Sequence, residues 1–370
     1  MRLTPIAAAC LLAGIALLFA GYRIDRLPPT NDELVFNVQA ETIRSGKPAL
    51  FFHVAGEKWV QPLAVYANAA VRTVGAGRRS GRIVSAIAGA IDVALVFLIV
   101  NLITQRAWIA MIAAVILIFT PAHAALSIRG TDALLPSPLI LGWLYGVLRF
   151  FRFDSIRTLT VAAVLLGLVA YAHQAGPLTA VFLWALTLAV AFRRNRARLL
   201  AATLAFAGVW VPAVAWFYLH PDIYPDTFGR WFVFAAHIRN PFDGLQAFIN
   251  PNTLGTRASM YWGFWDPSWL FFTSADEPQP LLLIAAPLIA VAAFRWPMSI
   301  ASREAAALVI GTALIVPLAG ATFGVPHYIA DAAAVLPILA VLAGIGVDQL
   351  VSLVVPRRPL DDDVAVTAIE

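Results

Sequence analysis

The sequence contains a single cysteine, Cys10, and few charged residues. One cysteine excludes a disulfide framework and a cysteine-based metal site. Charged residues make up 13% of the 370 residues and hydrophobic residues 61%, and the mean hydropathy is +0.80. This balance excludes the soluble globular class. The sequence also has no Gly-rich phosphate-binding loop and no evident internal repeat, which argues against nucleotide binding and weakens an inverted-repeat transporter.

Apolar segments long enough to cross the hydrocarbon core, which takes about 20 residues, recur along the whole chain. The predicted fold class is therefore an all-α polytopic membrane protein with about ten transmembrane helices. Residues 2–20 also fit a cleaved signal peptide, but the even number of spans favours an uncleaved anchor. The predicted spans are residues 4–22, 83–104, 107–127, 133–151, 158–173, 175–192, 199–218, 281–296, 304–323 and 333–355.

Arginine is concentrated in every second short loop. The positive-inside rule places these loops and both termini in the cytoplasm, at the plasma (inner) membrane. The long segments 23–82 and 219–280 are then extracytoplasmic. The net charge of +5 reflects arginines facing anionic lipid, so membrane lipids are expected partners and nucleic acid is not. The arginine-rich loops lie at Gln105-Arg106, Arg149 to Arg157, Arg193 to Arg198, Arg295 to Arg303 and Arg357-Arg358.

The chain divides into four predicted regions. In the first long loop, Asp32–Ile43 and Trp59–Val74 have the spacing of amphipathic helices, which lie in the membrane interface. The extracytoplasmic segment is rich in aromatics that suit a belt at the headgroup level and also stacking on sugar rings. The regions are a seven-span core with its outer loop (1–218), the aromatic segment (219–280), three C-terminal spans (281–355) and a cytoplasmic tail (356–370).

Asn31-Asp32-Glu33 follows the first span directly. Two carboxylates at the bilayer surface suit proton transfer by a membrane enzyme. Thr30, Asn31 and Asp32 before an apolar periodic run are also typical of a helix N-cap. The two roles can coexist, because a capping carboxylate can still face a cavity.

Further polar residues lie in the other predicted outer loops. Arg129 and Asp132, three residues apart, fit an ion pair that anchors a span end. Ionisable residues at this depth are also functional candidates. His173-Gln174, at the outer end of the fifth span, fit interfacial polar residues equally well. Asp276-Glu277 and His327-Tyr328 complete this set.

Four short motifs, in this order and topology, resemble the GT-C membrane glycosyltransferases, specifically the family of protein O-mannosyltransferases and lipid A aminoarabinose transferases. The resemblance covers most of the chain and is best in the first seven spans. The motifs are Asn31-Asp32-Glu33; Gln61-Pro62-Leu63 through Tyr66 with Arg78 to Arg82; Arg129-Gly130-Thr131-Asp132 with Leu134-Leu135; and Trp269 to Asp276 with Pro326-His327-Tyr328.

This resemblance implies transfer of a sugar from a polyprenyl-phosphate carrier to an acceptor hydroxyl of a lipid, glycan or protein, at the outer membrane face and with inversion. Asp32 is then the general base, and Glu33 or Asp132 positions the acceptor or a divalent cation. No cofactor is required by the motifs, although carboxylates and histidine are compatible with a divalent cation. The candidate substrate and phosphate ligands are Lys58, Arg82, Arg129, His173, Gln174, His327 and Tyr328.

Two other classes of function stay open. A secondary transporter or flippase needs ionisable residues near the bilayer midplane and broken helices. Asp92 lies inside the second predicted span, and Pro212 and Pro317 interrupt two others. A non-catalytic membrane scaffold is the third class, and it would tolerate loss of Asp32.

Overall fold

The chain forms a bundle of helices. The computed structural model describes residues 4–54, 58–219, 251–272, 279–296, 303–322 and 329–354. The helices up to residue 219 are α1 (Pro5–Arg23), α2 (Asn31–Arg44), α3 (Pro62–Thr73), α4 (Ser80–Thr104), α5 (Ala107–Phe119), α6 (Pro121–Leu126), α7 (Pro136–Phe153), α8 (Ile156–Leu168), α9 (Gly176–Ala191) and α10 (Arg196–Leu219). The later helices are α11 (Pro251–Gly263), α12 (Pro267–Phe271), α13 (Ala285–Arg295), α14 (Arg303–Thr322) and α15 (Val335–Val354). Short 3₁₀ turns lie at Gly77–Arg79, Val169–Tyr171 and Ile329–Ala332.

Each of the ten predicted spans contains a helix, which confirms the all-α polytopic fold class. Within the described ranges, five helical segments are long and apolar enough to cross a membrane. Others, such as Ala107–Phe119 and Ala285–Arg295, are apolar but shorter than a full crossing. The chain is a multi-pass membrane protein. The four predicted regions stay a prediction, and most of 219–280 and all of 356–370 lie outside the described residues.

Helix α4 is the centre of the bundle and contacts α1, α3, α5, α7 and α15. Its residues Val93, Val96 and Val100 are fully buried. Close packing of α15 depends on Gly344, where an added Cβ would lie 2.7 Å from the Cβ of Ala113 on α5. Small residues that let helices approach are typical of packing in membranes, where apolar burial gives little driving force.

The predicted span 107–127 is two helices rather than one. Helix α5 ends at Phe119, and Pro121 is the first residue of α6. Proline has no N–H to donate within a helix and is favoured at the first helical position, so it ends one helix and begins the next. The break turns α6 so that its C-terminal end leads into the loop carrying Arg129 and Asp132.

The predicted helix Trp59–Val74 begins later than expected. Residues Lys58–Val60 form a strand that pairs antiparallel with Phe52–Val54. The helix begins at Pro62, again a proline at the first helical position. The other predicted helix, Asp32–Ile43, is confirmed as α2, and its place in the membrane interface stays a prediction.

The arginine-rich short loops at residues 105–106, 149–157 and 193–198 meet at one end of the bundle, as the alternation of loops requires. The contacts that connect them are Arg106 Nη1 to Asp348 Oδ1 (3.2 Å), Arg152 to the carbonyl of Leu102 (3.2 Å), Arg194 to Glu304 (2.8 Å) and Arg198 to Asp154. The side of the membrane that this end faces stays a prediction.

Candidate active site

A cavity of about 300 Å³ lies at the other end of the bundle. It forms where the start of α2, the α6–α7 loop, the turn before α9 and the 3₁₀ turn before α15 meet. Its apolar wall includes Phe36, Val60, Leu126, Trp269 and Ile329. Its polar lining consists of Thr30, Asp32, Gln61, Arg129, Thr131, Asp132, His173, Gln174 and Asp331.

Asp32 is placed in the cavity by the first turn of α2. The cap of this helix is Thr30, whose Oγ1 accepts a hydrogen bond from the backbone N–H of Glu33 at 3.3 Å. Asp32 therefore does not cap the helix. The helix dipole favours a carboxylate in the first turn of a helix. The position of Asp32 in α2 therefore stabilises its negative charge.

Glu33 points away from the cavity, although it neighbours Asp32 in sequence. Its Oε2 accepts a hydrogen bond from Arg82 Nε at 2.9 Å, and both side chains are buried. Nη1 of Arg82 donates to the carbonyls of Ile24 and Leu27. Neither Glu33 nor Arg82 lines the cavity. The predicted acceptor-positioning and phosphate-binding residues at these positions are instead an ion pair that ties α2 and the end of α1 to α4.

Two glycines bring the α6–α7 loop against the start of α4. A Cβ added at Gly130 would lie 3.0 Å from the backbone N of Arg82 and 3.1 Å from the carbonyl carbon of Gly81. These neighbours are backbone atoms that cannot move aside, so only glycine allows the two segments to approach this closely. This contact fixes the height of Arg129 and Asp132 in the bundle.

The structure brings Asp132 and Arg129 to the same cavity as Asp32. The two residues of the loop do not form the anchoring ion pair that their spacing suggested, since no salt bridge joins them in the described part of the chain. Arg129 is exposed, and its guanidinium has no hydrogen bond to a described residue. The cavity thus contains an accessible cation beside carboxylates.

His173 and Gln174 line the cavity and hold a third acid that the sequence interpretation did not include, Asp331. His173 Nε2 lies 3.6 Å from Asp331 Oδ1, and Gln174 Nε2 donates to the same oxygen at 3.4 Å. His173 Nδ1 accepts from the backbone N–H of Ala175 at 3.1 Å. That bond assigns the proton of a neutral ring to Nε2, facing Asp331. Like Asp132, Asp331 directly precedes an apolar span. This shared position is the feature of the sequence that could have identified Asp331 as a site residue.

Burial raises the pKa of the Asp331 carboxyl above its ordinary value, and the negative charge of Asp132 raises it further. The His173 ring and the hydrogen bond from Gln174 lower the pKa, but less than burial raises it. Asp132 and Asp331 line the same cavity. The surroundings of Asp331 therefore make its carboxyl group hold a proton more tightly than an exposed aspartate does.

Asp92, the ionisable residue inside the second predicted span, does not line the cavity. It is fully buried, and its Oδ2 lies 3.3 Å from His123 Nε2 on α6. His123 and Ser127 lie one turn apart on the α4 side of α6, whereas Ala122, Ala125 and Leu126 face the cavity. The pair therefore connects α6 to α4, while Pro212 and Pro317 lie inside α10 and α14 as the sequence predicts.

The remaining predicted site residues are not described. Lys58 lies in a strand, but its side chain is outside the described part, as are His327 and Tyr328 and the acids Asp276 and Glu277. Among the described residues, no group of three or more His, Cys, Asp or Glu side chains has a metal-binding arrangement. The divalent cation stays a prediction.

No protein-family model matches the sequence, and no curated protein is similar to it in sequence. Solved structures are similar in fold. ArnT from Cupriavidus metallidurans bound to undecaprenyl phosphate aligns with a TM-score of 0.60 and 16% identity, covering 93% of this chain and 62% of that one. Its apo state gives 0.57, with the same identity and coverage. The apo oligosaccharyltransferase of Archaeoglobus fulgidus gives 0.52 and 15% identity, covering 95% of this chain and 52% of that one.

These neighbours are members of the GT-C superfamily, so the chain has the GT-C fold that the motifs predicted. The chain spans less than two thirds of the length of the structures that it matches.

Proposed function

We propose that this chain is a membrane glycosyltransferase that transfers a sugar from a polyprenyl-phosphate carrier to an acceptor hydroxyl. The observation that carries the proposal is the cavity at one end of a GT-C fold, where Asp32, Asp132 and Arg129 converge from separate parts of the sequence. The undecaprenyl phosphate bound to a protein of the same fold supports a polyprenyl-phosphate donor. The cavity faces the extracytoplasmic side in this proposal, because the arginine-rich loops lie at the opposite end.

Asp32 is the general base of the proposed reaction. The acceptor oxygen bonds to the anomeric carbon as the bond from that carbon to the phosphate oxygen breaks. The hydroxyl proton passes to the Asp32 carboxylate, and the electron pair of the broken bond leaves on the polyprenyl phosphate. Attack opposite the leaving group inverts the anomeric centre. A positioned base contributes about 10²–10⁴-fold to the rate of such a step.

Arg129 is the described residue best suited to the phosphate. Its guanidinium is exposed at the cavity and makes no ion pair with a described residue, so its fork of donors is available for phosphate oxygens. Asp132, in the same loop, positions the acceptor hydroxyl. Lys58, His327 and Tyr328 stay candidate phosphate ligands. Arg82 and Glu33 support the reaction only by holding α2, because their charges neutralise each other.

The test is reconstitution of the purified chain in proteoliposomes with radiolabelled undecaprenyl-phosphate sugars. We expect the wild type to bind undecaprenyl phosphate and to transfer label to an acceptor or to water. Arg129→Ala should weaken binding of the bare carrier. Absence of any binding of undecaprenyl phosphate by folded wild-type protein would refute the proposal, whereas movement of the intact carrier across the bilayer without transfer would favour a flippase.

A further inference from the structure

We propose that Asp331 and Gln174 form a subsite that binds two adjacent hydroxyl groups of a sugar ring. The inference rests on the proposed function only for the source of that ring, which is the transferred sugar or a glycan acceptor. The subsite is distinct from the base and the phosphate ligand, because its residues come from the turns before α9 and α15 rather than from α2 and the α6–α7 loop.

The first argument is that one oxygen of Asp331 is left for a ligand. The two neighbours that hold the carboxyl group, His173 Nε2 and Gln174 Nε2, both approach Oδ1. Within the described chain, no hydrogen bond reaches Oδ2, and Asp331 is 94% buried while lining the cavity. A carboxylate oxygen without a protein donor can accept a hydrogen bond from a ligand. A hydroxyl group entering the cavity would supply that donor.

The second argument is that a matching acceptor lies beside this oxygen. Because Gln174 directs its amide N–H toward Asp331, its carbonyl oxygen Oε1 is held next to the same carboxyl group, and no described residue donates to it. A carboxylate and an amide carbonyl are acceptors only. Two neighbouring acceptors complement two neighbouring hydroxyl donors, which is the arrangement on a sugar ring. They do not complement a phosphate, which has no matching donors.

The third argument is that an aromatic wall lies near the subsite. The rings of Trp269 and Phe264 pack edge to face with centroids 5.7 Å apart, and Trp269 lines the cavity. Gly320 of α14 touches both Phe264 and Asp331: an added Cβ would lie 3.2 Å from Phe264 Cζ and 3.4 Å from Asp331 Cβ. Helix α14 therefore holds the aromatic pair and the acid on one side of the cavity. The C–H face of a sugar ring can pack on such a wall while its hydroxyls meet the acceptors.

Asp331→Asn and Gln174→Met test the subsite. Asn keeps the size of Asp331 and its Oδ1 contacts, but its amide presents a donor where the ligand needs an acceptor. Met keeps the length of Gln174 without either polar atom. Asp154→Asn, at the opposite end of the bundle, is the matched control. The probes are bare undecaprenyl phosphate, undecaprenyl phosphate carrying glucose or mannose, and methyl glycosides observed by saturation-transfer NMR.

We expect both variants to bind bare undecaprenyl phosphate as the wild type does. If the ring belongs to the donor, affinity for the sugar-bearing carrier should fall about 10–100-fold in Asp331→Asn, as expected for loss of a hydrogen bond to a charged group. It should fall about 2–10-fold in Gln174→Met, which loses a neutral hydrogen bond. If the ring belongs to the acceptor, donor affinity should be unchanged and methyl glycoside binding should be lost. Either result supports the subsite.

The subsite is refuted if sugar-bearing carriers and methyl glycosides bind the variants as they bind the wild type. It is equally refuted if binding of the bare carrier falls by the same factor, since that is a structural effect. Failure of the proposed function gives a different result. In that case wild-type protein binds no undecaprenyl phosphate, while methyl glycoside binding that depends on Asp331 still reports the subsite.

Discussion

Asp32 and Glu33 are adjacent acids with opposite expected consequences when their charge is removed. Asp32→Asn changes a cavity carboxylate that does not cap its helix, because Thr30 supplies the cap. The variant should fold with wild-type stability. It cannot accept a proton at neutral pH, so sugar transfer should fall by about 10²–10⁴-fold, or about 3–5 kcal/mol of transition-state stabilisation. Binding of undecaprenyl phosphate should be retained.

Glu33→Gln removes one charge of a buried ion pair and leaves Arg82 without its counter-charge. Breaking such a pair costs about 3–5 kcal/mol. We expect about 3 kcal/mol, the lower end of that range, because Gln still accepts from Nε and two carbonyls still accept from Nη1. Stability should therefore fall, and the molecules that remain folded should bind carrier and transfer sugar.

Both variants should be measured in one preparation by thermal unfolding, binding of bare undecaprenyl phosphate and transfer in proteoliposomes. The activity is normalised to the folded fraction. Undiminished transfer by Asp32→Asn would refute its assignment as the base. A stable but inactive Glu33→Gln protein would refute the assignment of Glu33 to a purely structural ion pair with Arg82.

Three further predictions address topology, backbone packing and pH. In a background without the native cysteine, single cysteines at Ser45 and Thr253 should react with a membrane-impermeant thiol reagent in intact cells, and one at Asn195 should not. Gly130→Ala should lower transfer by about 100-fold, since its Cβ would press on backbone and a displacement of about 1 Å in a site has that effect. Because the folded protein raises the pKa of Asp331, its charged form destabilises the fold. Wild-type stability should therefore rise relative to Asp331→Asn as pH falls through that raised pKa and level off below about 4.

Each of these measurements has a contrary result. Labelling at Asn195 with protection at Ser45 would invert the topology and place the cavity in the cytoplasm. Gly208 has open space around it, so Gly208→Ala is the matched control, and equal effects of the two alanines would dismiss the backbone contact. A stability difference between Asp331→Asn and the wild type that does not vary with pH would contradict a raised pKa.

The sequence alone determined the class of fold and the order of its parts. Apolar length located ten predicted spans, each of which contains a described helix, because the hydrocarbon core sets a minimum length for a crossing. Arginine alternation grouped the loops that meet at one end of the bundle. The first turn of α2 and the α6–α7 loop were predicted to contribute Asp32, Asp132 and Arg129 to one site, because both follow or precede spans on the same side. Span length, arginine distribution and the position of a residue beside a span are local properties of the sequence, so they can be predicted without the tertiary structure.

Tertiary structure decided which polar residues face the cavity. Nothing in sequence separates Asp32 from Glu33, and only the position of Arg82, 49 residues away, assigns the second acid to an ion pair. Asp331 enters the site because the turn before α15 lies against the turn before α9, and such pairing between distant spans has no local signal. The Gly81–Gly130 approach is of the same kind. Side-chain direction in a helical bundle depends on how the helices rotate against each other, and that rotation is fixed by packing across the whole chain.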